Sequence, residues 1–189
     1  MTNSRSANRH MRGDSEGRLK NLRPGPRSVI VRGNPEYLSQ YAGQHLLQLT
    51  VNLLARQYEV ITEILLDVPS IPVLDNVFPE AFIVSGELQS QVLGFAKAIA
   101  GDEISISALP SSNIVSDCIV YIGTFDPGKS SVFCVSAVAD GWRFDCATHR
   151  RTQETEGMDS NPAGPYMAAC FAAGTVFKYF WQLDAEIDL

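Results

Sequence analysis

The octapeptide Gly123-Thr124-Phe125-Asp126-Pro127-Gly128-Lys129-Ser130 fits the phosphate-loop pattern GxxxxGK[ST], and it follows the continuously apolar run from Cys118 to Ile122. In such a loop the backbone N–H groups wrap the phosphates and the lysine reaches the terminal ones. The following helix points its positive end at them. Gly123, Gly128, Lys129 and Ser130 would then bind ATP with magnesium, as in a small nucleotide-binding protein. The downstream residues favour a different reading. The helix has to start at Lys129, yet Ser131 to Val138 is β-branched and aromatic and breaks at Asp140-Gly141. No later apolar strand ends in an aspartate that would hold magnesium. A strand-to-strand turn built on Asp126-Pro127-Gly128 accounts for the same residues without a ligand, so nucleotide binding is the alternative reading.

Other routes to chemistry are weaker. A glycine-rich dinucleotide turn after the first strand is replaced by Arg32-Gly33-Asn34-Pro35, whose proline removes one N–H donor that a pyrophosphate needs. Cys118, Cys134, Cys146 and Cys170 lie in apolar segments, with no pair at CxxC spacing. They read as reduced core residues rather than zinc ligands or disulfides. Cys170 is expected deep in a helix and Cys118 in a strand, where burial quenches a thiol. Cys146, close to His149-Arg150-Arg151, is the one thiol with cationic neighbours. His45 falls on an apolar helical stripe and reads as a hydrogen-bonded core histidine. The acids form no recognisable catalytic pair, and neither a catalytic residue nor a metal ligand is assigned.

Composition bounds the classes further. The 189 residues suit one ordinary domain, and their formal net charge of −6 is unevenly spread. Residues 1–27 carry seven Lys/Arg against Asp14 and Glu16, leaving all the net negative charge on the remainder. An acidic globule does not suit nucleic acid. The basic stretch, with Pro24-Gly25-Pro26, reads as a disordered tail, and 28–189 as a single domain. No secretory signal is visible. Residues 162–181 are long enough to span a bilayer, but their Ala/Gly content and Lys178 favour a buried helix of a cytoplasmic protein without membrane contact.

Periodicity then places the elements. Ser28–Arg32, Val60–Val68, Ile104–Ser107 and Cys118–Ile122 read as strands. Asn34-Pro35 opens a helix predicted to run to about Gln57, and Leu88, Val92, Phe95 and Ile99 mark a second, closed by Gly101. Phe82-Ile83-Val84 is ambiguous. Val132–Ala139, Asp140-Gly141 and Trp142–Cys146 form a hairpin, with Trp142, Phe144 and Cys146 on one face. Residues 147–160 read as a mobile loop. A last helix opens at Ser160 or Asn161. Gly164, Ala168 and Ala172 make one small-residue stripe and Ala169, Ala173 and Phe177 the next, and a helix so apolar all round belongs in an interior. Alternating strands and helices predict an α/β fold, a Rossmann-like three-layer sheet with an antiparallel hairpin at one edge.

The segment Asn161-Pro162-Ala163-Gly164, continued by Ala168-Ala169-Cys170-Phe171 and by Val176-Phe177-Lys178, resembles one in bacterial ThiF-like adenylyltransferases, relatives of ubiquitin-activating enzymes. The resemblance extends back through Asp140-Gly141-Trp142 and, faintly, to Leu46–Arg56. In that family the segment precedes the adenylation domain. The resemblance implies a module that is not catalytic alone and that supports or pairs with an adenylation domain. The pathway it implies is activation of a ubiquitin-like or sulfur-carrier protein. A second copy of the chain is a further candidate partner. The family's glycine-rich ATP turn and zinc-binding CxxC pairs are missing, so none of its site residues carries over and no cofactor is expected.

Overall fold

The computed structural model describes residues 27–80, 86–110, 115–125, 131–149 and 160–181. Six strands form one sheet: β1 (Ser28–Gly33), β2 (Glu63–Asp67), β3 (Ser105–Ala108), β4 (Cys118–Ile122), β5 (Phe133–Asp140) and β6 (Arg143–Thr148), in the order β3-β2-β1-β4-β5-β6. The first five are parallel, with Val31 opposite Leu66 and Val120, and Val120 opposite Val135. Only β6 is antiparallel, pairing Ala139 with Phe144 across the Asp140-Gly141 turn. This is the expected Rossmann-like α/β fold with its hairpin at the edge.

Four helices are described: α1 (Pro35–Leu38), α2 (Tyr41–Leu54), α3 (Leu88–Ala100) and α4 (Ala163–Phe180). The helix expected from Asn34 to Gln57 is therefore two helices. Asn34 caps α1 by accepting from the Tyr37 amide at 3.1 Å, with Pro35 in the first turn. The Ser39 hydroxyl then donates to the Glu36 carbonyl at 2.6 Å, and Gln40 is extended, which ends α1 and starts α2 afresh. Gly43 permits this corner, since a Cβ there would lie 2.1 Å from the Tyr37 carbonyl oxygen. Fully buried Gln44 braces it, donating to the Leu38 and Pro72 carbonyls and accepting from the Leu74 amide.

One core joins α2, α3 and α4 to alternate residues of the strands, among them Val29, Val31, Ile64, Leu66, Val120 and Val135. The opposite face of the sheet is buried too, at Ile30, Leu65, Tyr121 and Cys134, as a parallel sheet requires. Gly101, at φ +59°, closes α3 as expected. Arg27, placed by composition in the tail, is anchored. Its carbonyl accepts from the Thr62 and Glu63 amides, and its guanidinium meets Asp117 at 3.2 Å. Residues 1–26, the segment Phe82–Val84 and most of the predicted 147–160 loop lie outside the described residues. Among the described residues no helix is long and apolar enough to cross a membrane.

Candidate functional site

An open parallel sheet binds ligands outside the carboxyl ends of its strands, where the strand order reverses. Here that point lies between β1 and β4, so the candidate site is framed by Gly33-Asn34 and by Gly123-Thr124. Both glycines are needed there, but for packing. A Cβ on Gly33 would come within 2.1 Å of Leu38 Cδ1. One on Gly123, at φ +101°, would lie 2.8 Å from Asn34 Cβ and 3.0 Å from Tyr37 Cβ. Helix α1 thus sits directly on the strand ends. The Asn34 amide donates to the Ile122 carbonyl at 2.9 Å and the Gly123 amide to the Ala137 carbonyl at 2.9 Å, so neither N–H faces an open cradle. Buried Tyr37 locks the arrangement by donating to the Ala139 carbonyl at 2.6 Å and accepting from the Ala139 amide at 2.7 Å.

The neighbouring groups are also engaged. Asp67 stands at the end of β2, where dinucleotide-binding sheets place the acid that holds a ribose. Arg32 occupies it through an Nε–Oδ2 contact of 2.5 Å. Tyr121 is stacked on Phe125 with ring centroids 3.8 Å apart. Burial, and secondarily Cys134, push its hydroxyl above the usual range while Arg32 pulls it back.

Of the phosphate-loop residues, Gly123 lies at this crevice. Gly128, Lys129 and Ser130 fall outside the described residues. β4 and β5 are parallel neighbours, and Asp126, Pro127 and Gly128 of the expected strand-to-strand turn lie outside the described residues. β5 begins at Phe133, and Ser131 and Val132 carry no helix.

The thiols divide by environment. Cys118 and Cys134 are buried, and burial, reinforced by Cys134 and Asp117, holds the Cys118 thiol far above the ordinary range. Cys146 is half-buried against the core. Cys170, expected deep in the last helix, is exposed. His45, expected in the core, is half-buried, and loss of solvent lowers its pKa. Among the described residues no group of three His, Cys, Asp or Glu is placed to hold a metal.

The exposed Cys170 belongs to a larger feature that sequence reasoning missed. Helix α4 buries Gly164, Ala168, Ala169, Ala172 and Ala173, as the stripes predict, yet its other face is open rather than interior. Tyr166, Met167 and Phe171 are exposed on it, and Phe171 meets Phe144 of β6 with ring centroids 5.3 Å apart. Trp142 projects from the hairpin turn beside Phe144, 79% exposed. The signal was present in the sequence. From Ala163 to Phe177 there is no charged residue, whereas a helix whose second face is solvated carries charges there.

The chain belongs to the family described as the BilD N-terminal domain, whose family model matches residues 28–186. Among solved structures it is similar to E. coli MccB, at 13% identity and a TM-score of 0.55 over 91% of this chain. At that identity the likeness is one of fold. The chain spans 59% of that protein's length. No curated protein matches it by sequence.

Proposed function

We propose that this chain is a non-catalytic N-terminal module that supports or pairs with an adenylation domain, in the activation of a ubiquitin-like or sulfur-carrier protein. The observation that carries this reading is the packing of α1 at the switch point. Where a nucleotide-binding sheet opens a crevice lined by glycine amides, α1 packs onto Gly33 and Gly123, and the Asn34 and Gly123 amides are spent on carbonyls. The description of its family as an N-terminal domain, and the fold likeness to part of a longer protein, support a module acting with further chain. The alternative, a phosphate loop from Gly123 to Ser130, is disfavoured by β5 starting at Phe133, where the loop's helix belongs.

The test is ATP–pyrophosphate exchange with three samples: this chain, the polypeptide that follows this domain in a family member, and the two mixed. The expected result is no exchange by this chain alone and, in the mixture, higher exchange or a higher melting temperature than the following polypeptide shows alone. Exchange catalysed by this chain alone would overturn the reading.

A further inference from the structure

α4 and the β5–β6 hairpin both expose large apolar side chains, joined by the Phe144–Phe171 ring contact. Trp142, Phe144, Tyr166, Met167 and Phe171 are 79%, 37%, 56%, 45% and 50% exposed. Taking about 200 Å² for each large side chain, they offer roughly 500–600 Å², the upper end for the largest patch of a typical monomer and often functional. A covering partner relieves such a surface.

The size of the surface selects the occupant. Paired with an equal face it buries roughly 1,000–1,200 Å², at or below the lower limit for a stable complex between separate proteins, about 1,200–2,000 Å². It falls well inside the roughly 600–1,500 Å² typical of interfaces between domains of one chain. A tether supplies an effective concentration on the order of millimolar, which makes a modest apolar interface sufficient. A second copy of this chain, untethered, gains no such help. The family is described as an N-terminal domain, so further chain follows it in family members.

We infer that the surface of Trp142, Phe144, Met167 and Phe171 is where the domain following this one in family members docks. This rests on the function proposed above, in which that domain is the adenylation domain. Docking is driven by burial of aromatic and thioether side chains, with few charged groups to desolvate.

The test uses the polypeptide that follows this domain in a family member as the probe. Its binding to the full chain and to three variants is measured by calorimetry, with sedimentation of each chain alone. Phe171→Lys and Met167→Lys place a charge at exposed helix positions, where lysine is a good helix former; the two together keep the test valid if one variant fails to fold. Glu103→Lys, exposed near β3 at the far edge of the sheet, is the control. The expected result is binding by the parent and control, with at least ten-fold weaker binding by the two surface variants at unchanged melting temperature. Equal binding by all four proteins would overturn the surface while leaving the proposed function standing. No binding by the parent would remove the pairing reading and the inference with it. A parent that sediments as a dimer, split by Phe171→Lys, would replace the adenylation domain with a second copy and overturn the occupant.

Discussion

At the scale of single residues, Asn34 and Gly123 show how one pair of side chains turns a ligand crevice into a packed joint. Asn34 caps α1, and Gly123 supplies the space and the φ of +101° that let Asn34 and Tyr37 lie against the strand end. Gly123→Ala should therefore destabilise the fold by about 1–3 kcal/mol in a denaturant titration, through overpacking and backbone strain. A stable variant would free this glycine for another role. His45 gives a pH signature. Its folded pKa lies below the unfolded value near 6.5 because burial disfavours the charged imidazolium. Above that pH both states are neutral. As pH falls through it the unfolded state takes up the proton first, so stability drops until the lower folded pKa is passed. His45→Gln should flatten that part of the stability profile, and an unchanged slope would contradict the assignment. The cap and its proline were legible in Asn34-Pro35. The packing role of Gly123 was not, because the atoms that crowd it come from residues about ninety positions earlier.

At the scale of elements, α4 was half legible. Its small stripe was read correctly, since Ala168 and Ala172 are fully buried. Ala172→Leu should cost about 1–3 kcal/mol, because added methylenes there meet packed neighbours; denaturant titration should move the midpoint with the slope fixed. A variant as stable as the parent would show that the stripe is not packed. Gly164→Ala should also destabilise, since its Cβ would lie 2.5 Å from the Arg143 carbonyl oxygen and 2.6 Å from that of Gly141. The opposite face was misread because apolarity all round was equated with burial all round. Whether a stripe of Tyr166, Met167 and Phe171 is covered depends on how many neighbours surround the helix, and periodicity carries no such information. The break between α1 and α2 was hidden for a related reason. Leu38, Ala42 and Leu46 keep helical spacing across a corner that only Gly43 and the Ser39 hydroxyl reveal.

At the scale of the whole molecule, the fold class followed from alternating elements and the Asp140-Gly141 turn. The strand order did not follow from them. It sets β1 beside β4, makes β4 and β5 parallel, and so places Gly123 at the switch point, where the connection to β5 begins. The central claim, that this sheet binds no nucleotide at its switch point and the chain acts as a supporting module, meets its most direct test in calorimetric titration with ATP and magnesium. The account predicts no binding heat up to millimolar nucleotide, for the parent and for Lys129→Ala alike. Micromolar binding by the parent that Lys129→Ala abolishes would contradict it and establish the phosphate loop instead.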